Sequence, residues 1–107
     1  MTPPSGLFVV ARLEDEAVGC GGFKRIDTAT GEIKRVWTAL SARGSGVARR
    51  VLRTLETAAR ESGLKTLRLD TNRALTEAHA LYRSEGYREI ARFSDNPYAH
   101  HWFAKRL

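Results

Sequence analysis

Two periodicities divide the chain. From Leu7 to Leu40 the apolar residues come in short runs broken by polar turns, the pattern of strands. Leu7–Leu13 (LFVVARL) and Ala17–Ile26 flank Glu14-Asp15-Glu16 and predict a hairpin; Glu32–Leu40 (EIKRVWTAL) predicts a third strand after the turn at Asp27–Gly31. Gly19, Gly21 and Gly22 weaken the second strand's own preference, which points to a close approach to its backbone. From Gly46 to Ser62 the period becomes helical. Val47, Val51, Leu52, Leu55, Ala58 and Ala59 share one face, with Arg49, Arg50, Arg53, Glu56 and Arg60 on the other. Gly63 stands where a helix-ending glycine belongs. Thr66–Thr71 alternates as a strand, and Leu75, Ala78, Leu81 and Tyr82 mark a second helix closed by Gly86. Tyr87–Phe93 and His101–Lys105 predict two closing strands around the turn-rich Ser94-Asp95-Asn96-Pro97. The predicted order is βββαβαββ, an α/β (α+β) fold in one domain over residues 7–107 after a flexible lead at 1–6.

Length and composition agree with one modest core: 107 residues, 42% apolar and 28% charged. No apolar run is long enough to cross a bilayer, and residues 1–6 lack the regions of a signal peptide, so a cytoplasmic protein with no membrane partner is expected. Cys20 is the single cysteine and reads as a small apolar strand residue. His79, His100 and His101 have no metal-ligand spacing, so no metal is assigned. Trp37, Tyr98 and Trp102 fit either the core or an acceptor pocket, and are read as core aromatics.

The net charge of +6 changes the picture, because much of it falls in one place. Arg43, Gly44, Ser45, Gly46, Val47, Ala48 and Arg49 join the third strand to the first helix, with Arg50 and Arg53 just beyond. Glycines let the chain turn tightly there and let a ligand reach the main chain. The first helical turn adds unpaired N–H groups and about half a positive charge. Together these suit a pyrophosphate, although a structural turn accounts for Gly-x-Gly equally well. A Walker loop would need Gly-Lys-Ser/Thr, which is absent; a dinucleotide fingerprint would need a third glycine where Arg49 stands. Nucleic-acid binding through the basic helix is the weaker reading, since no aromatics interleave the arginines.

Arg43-x-x-Gly46-x-Ala48 resembles the acyl-CoA-binding signature of the GCN5-related N-acetyltransferases (GNAT). Other segments resemble the same family in order: Glu32–Thr38 its central strand, Leu67–Asn72 the next strand, and Ala78-x-x-Leu81-Tyr82-x-x-x-Gly86-Tyr87 its last helix and the strand after it. Thr38 and Leu40 depart from the family's usual aliphatic residue and proline. The resemblance implies a GNAT-like fold with a mixed, mostly antiparallel sheet, binding acetyl-CoA as acetyl donor and transferring the acetyl group directly to an amine acceptor in a ternary complex. The alternative is a non-catalytic acyl-CoA-binding sensor.

The resemblance also implies roles. Val36 and Thr38 would pair their backbone with the pantetheine arm, with an N–H near Val36 facing the thioester carbonyl. Arg43, Gly44, Ser45, Gly46, Val47, Ala48 and Arg49 would cradle the pyrophosphate, and Asn72 would touch pantetheine unless it simply forms a turn. Glu32 matches the position of a family general base, but its residue type fits a solvent-facing carboxylate or a partner for Lys34 equally well. Tyr82 matches the tyrosine that protonates the departing thiolate, with a plain core tyrosine as the rival. Because the family fold normally begins with another strand and a helix pair, the chain is expected to be N-terminally short. A sheet edge left open would favour a homodimer.

Overall fold

A computed structural model describes residues 6–13, 15–39, 42, 44 and 46–107. The elements are β1 (Gly6–Leu13), β2 (Glu16–Arg25), β3 (Thr30–Thr38), α1 (Val47–Glu61), β4 (Thr66–Thr71), α2 (Thr76–Ser84), β5 (Arg88–Ile90) and β6 (His101–Arg106), the predicted order. They form one six-stranded sheet in the order β1-β2-β3-β4-β6-β5. Every neighbouring pair is antiparallel except β3 and β4.

Alternation along the strands separates two faces. Phe23, Ile33, Leu67, Leu69 and Phe103 point to the helical side, where Val51, Leu52, Leu55 and Ala59 of α1 and Tyr82 of α2 complete the core. The other face carries no helix among the described residues. Phe8, Val10 and Trp37 stand exposed, Trp37 by 51% and Tyr98 by 77%, so these two aromatics are not core residues. Trp37's apolar character fits either side of a sheet and only the register decides which side it takes, whereas Tyr98 lies in the turn before β6.

Both helices end in the same hydrogen-bonded motif. After α1, Leu64 N–H reaches Ala59 O and Gly63 N–H reaches Arg60 O, both at 3.0 Å. After α2, Tyr87 N–H reaches Tyr82 O (2.9 Å) and Gly86 N–H reaches Arg83 O (3.1 Å). Gly63 and Gly86 adopt the left-handed φ, 84° and 93°, that this ending requires. The second motif brings Tyr87 back over Tyr82, with ring centroids 5.8 Å apart.

Gly19 and Gly21 of β2 admit a helix, whereas Gly22 faces Leu7 and Phe8 of β1. A Cβ on Gly19 would lie 2.6 Å from Val47 Cγ1, and one on Gly21 would lie 2.9 Å from Val51 Cγ1. Helix α1 therefore lies flush on β2. The fifth strand is shorter than predicted: pairing with β6 stops at Ile90–Trp102. Beyond it the chain crosses to the open face, where the Arg68 guanidinium covers the Phe93 ring at 4.2 Å and Ser94 Oγ donates to Asp70 Oδ2 at 3.1 Å.

Candidate active site

The parallel pair β3–β4 is a fork. Thr30, Gly31 and Glu32 pair with Thr66, Leu67 and Arg68, and pairing then stops. Among the described residues, β3 then runs on to Thr38 against β2 alone, and β4 to Thr71 against β6 alone. A bulge helps to open it. Cys20 pairs with Trp37 and Gly22 with Lys34, so three steps on β3 match two on β2. The extra residue bends the strand and returns Val36 to the helical side, where it packs against the core.

Helix α1 starts at the mouth of this fork. Its first residue, Val47, packs on Gly19, and Gly19 is the partner of Thr38, the last residue of β3. Gly44 and Gly46 both take left-handed φ, 82° and 84°, which side-chain-bearing residues rarely adopt. Gly46 is the N-cap and supplies no side-chain acceptor, and the first turn holds no acidic residue. Arg49 and Arg50 lie in that turn, against the sense the helix dipole favours. Arg43 and Ser45 lie outside the described residues.

Two of the arginines face sideways. Glu85, just past α2, accepts from Arg49 Nη1 at 2.6 Å and from Arg53 Nε at 2.7 Å. Hydrogen bonding from Arg53, then Arg49, holds its carboxyl below the usual carboxylate range. This clamp ties α2's end to the first half of α1.

The two stacked tyrosines differ in what their hydroxyls do. Tyr87 donates to Glu56 Oε2 at 2.8 Å, in a buried cluster that Lys105 Nζ completes at 3.1 and 3.2 Å. Tyr82 is 6% exposed, and its hydroxyl has no partner among the described residues. Since no fully enclosed side-chain polar atom lacks a partner among them, the Tyr82 oxygen must keep contact with solvent. Burial pushes its pKa up to about 12, so the phenol holds its proton throughout the physiological range.

Glu32 sits at the root of the fork. Lys34 Nζ lies 2.5 Å from one oxygen and Arg68 Nε 3.1 Å from the other. It is buried and braced between cations, the Lys34 partner its residue type also allowed. Asn72 ends β4 as a turn residue. Its Oδ1 accepts from Ala74 N–H (2.9 Å), its Nδ2 donates to Tyr98 O (2.9 Å), and its carbonyl accepts from His79 Nε2 (2.9 Å). His100 Nδ1 accepts from Arg73 N–H at 3.2 Å, so two histidines fix this turn. Asp70 falls outside the residues the sequence singles out, yet it stands on the open face just past the last β3–β4 pair.

The fork between parallel strands thus has a glycine-led helix at its mouth, and the model of the Acetyltransferase (GNAT) family matches residues 1–87. The chain belongs to the GNAT family. It is 38% identical over 95 residues to an IAA acetyltransferase of Azospirillum brasilense, covering 87% of this chain and 61% of that one. It is 37% identical over 83 residues to the uncharacterized N-acetyltransferase YsnE of Bacillus subtilis (strain 168), covering 76% and 55%. The chain thus spans less than two thirds of the length of these GNAT relatives. A GNAT family acetyltransferase from Elizabethkingia anophelis, solved with acetyl-CoA bound, superposes with a TM-score of 0.82 at 20% identity over 96% of this chain and 77% of its own, a likeness of fold. No described helix of this GNAT chain is long and apolar enough to cross a membrane.

Proposed function

We propose that the chain carries the donor-binding and acetyl-transfer apparatus of an acetyl-CoA-dependent N-acetyltransferase, acting by direct transfer to an amine. The observation that carries this reading is the start of α1. An uncapped helix N-terminus whose first turn holds no carboxylate and carries Arg50, with only Arg49 balanced by Glu85, is electrostatically unfavourable on its own, by about 0.3–1 kcal/mol for the misplaced charge. A pyrophosphate reverses that sign. Gly44, Gly46 and the N–H groups of Val47 and Ala48 would hold it, and the Arg50 guanidinium, which has no partner among the described residues, is available to join them.

The fork supplies the second half of the fit. Beyond Glu32 the inner edge of β3 has no strand beside it among the described residues, so Val36 and Thr38 can offer backbone groups to an amide-bearing chain such as pantetheine. When bound, acetyl-CoA supplies a thioester-activated acetyl group; transfer forms the amide C–N bond, breaks the C–S bond, and moves one proton net from nitrogen to sulfur. A Val36 N–H aimed into the fork would stabilise the charge that builds on the carbonyl oxygen. Tyr82 offers a hydrogen bond to the departing sulfur. Full proton loss from a phenol of pKa about 12 to a thiolate of ~8.5 is uphill by roughly 5 kcal/mol, so its part is to stabilise the thiolate until solvent protonates it. Glu32 braces the root of the fork, and we assign the amine's proton to water there.

Thiol release from acetyl-CoA, followed across a panel of primary amines with the acetylated product confirmed by mass, tests the reading. Amine-dependent release is expected. Tight acetyl-CoA binding without release for any amine would leave the binding half and sink the transfer half.

A further inference from the structure

Resting on the transfer reading, we infer that Asp70 is the acceptor's binding residue, and that it selects a cationic primary amine attached to an apolar body. Asp70 lies on β4 two residues past Arg68, about 6.6 Å beyond the last β3–β4 pair. Alternation sets it on the helix-free face with Arg68 and with its cross-strand partner Trp102. The acceptor must come from that side, because α1 and α2 cover the other.

What distinguishes Asp70 is where the nearby cations go. Lys34 would stand opposite Asp70 if the parallel register continued across the fork, but it gives its ammonium to Glu32. Arg68 gives its Nε to the same carboxylate. Arg92 gives Nη2 to Asp95 at 3.0 Å. Among the described residues Asp70 is left with neutral donors only: Ser94 Oγ at 3.1 Å and Asn96 Nδ2 at 3.4 Å. Ser94 is itself held by Trp102 Nε1 at 3.1 Å, which fixes the carboxylate's direction. An oriented carboxylate with no described counter-ion, beside an indole and at a fork built to present an acyl group, is a receptor for an ammonium ion with an aromatic or aliphatic neighbour. Bound there, the amine loses its proton to solvent before it attacks; Asp70 contributes position and affinity.

Calorimetry on the chain saturated with CoA, titrated with benzylamine (a cation at pH 7) and with benzyl alcohol as its neutral counterpart, tests this. Wild type should prefer benzylamine. Asp70→Asn should weaken benzylamine binding about ten- to a hundredfold, the range of a charge-assisted hydrogen bond. Benzyl alcohol and CoA affinity should not change, and Asp70→Glu should recover most of the preference. Equal benzylamine affinity in wild type and Asp70→Asn, or no preference for the cation in wild type, overturns the assignment. If CoA itself does not bind, the donor-site reading fails; the same amine titrations on the unloaded chain then still decide the role of Asp70.

Discussion

Removing one oxygen from each of two touching tyrosines separates fold from chemistry. Tyr87→Phe deletes the donor to Glu56, a carboxylate only 4% exposed that keeps Lys105 but loses its neutral partner. A buried hydrogen bond to a charged group contributes about 1.5–3 kcal/mol. At roughly 2.1 cal/mol/K per residue, unfolding a chain of 107 residues has an entropy near 0.22 kcal/mol/K, so the melting temperature should fall by about 7–13 °C. Tyr82→Phe deletes a hydroxyl with no partner among the described residues, so its melting temperature should stay within about 2 °C, equivalent to under ~0.5 kcal/mol. Activity should run the other way. Tyr82→Phe should lower the rate about ten- to a hundredfold, the worth of a hydrogen bond to a charged leaving group, while folded Tyr87→Phe stays near wild type. Scanning calorimetry and thiol release at a temperature well below both transitions read the two effects. Equal destabilisation by both substitutions would make the Tyr82 hydroxyl a structural group. Full activity in Tyr82→Phe would remove it from the chemistry.

Gly19→Ala should destabilise by about 1–3 kcal/mol, because the new methyl would lie 2.6 Å from Val47 Cγ1 and force the start of α1 off the sheet. Acetyl-CoA affinity, measured by calorimetry, should fall with it. Glu85→Gln should be less stable than wild type at neutral pH. The Glu85 pKa lies below its unfolded value, so its stabilisation is present above about 4.5 and lost as pH falls through the folded pKa; the two melting curves should converge in acid. Tyr82 has its folded pKa raised above the unfolded value near 10, so its contribution is complete below that pH and fades between about 10 and 12. A difference absorbance titration of wild type against Tyr82→Phe should therefore show no Tyr82 phenolate until about pH 11.

Local chemistry made most of the architecture legible. Gly63 and Gly86 announced both helix ends, since a left-handed residue is needed there and glycine adopts it most readily. The arginine-rich glycine loop announced the start of α1. The glycine run of β2 announced a close approach, but that the intruder is α1 depends on Val47 and Val51, remote in sequence. The end of β5 was beyond reach for a similar reason. Residues 91–93 have strand-like composition, yet they leave the sheet because Asp70 and Arg68 on β4 hold Ser94 and Phe93.

The site was legible to the same depth. Motif and spacing single out the loop, the central strand and Tyr82 as candidates, but they give no means of distinguishing Glu32 from Asp70. Both are strand carboxylates on the helix-free face, and the difference lies in tertiary pairing: Lys34 and Arg68 converge on Glu32, whereas Asp70 meets only neutral donors among the described residues. Alternation in Thr66–Thr71 was the available signal, because it sets Asp70 on the same face as Arg68. Glu85 gave no such signal, since the clamp on Arg49 and Arg53 joins residues more than thirty positions apart.

The central claim is that the mouth of the β3–β4 fork and the start of α1 form an acyl-CoA site. Calorimetric titration of the purified chain with acetyl-CoA, beside ATP and NADH, tests it most directly. Saturable binding of acetyl-CoA, with ATP and NADH far weaker and with Gly46→Ala weakened by the strain of its left-handed φ, is the predicted result. Absence of acetyl-CoA binding, or equal binding of all three nucleotides, would contradict it.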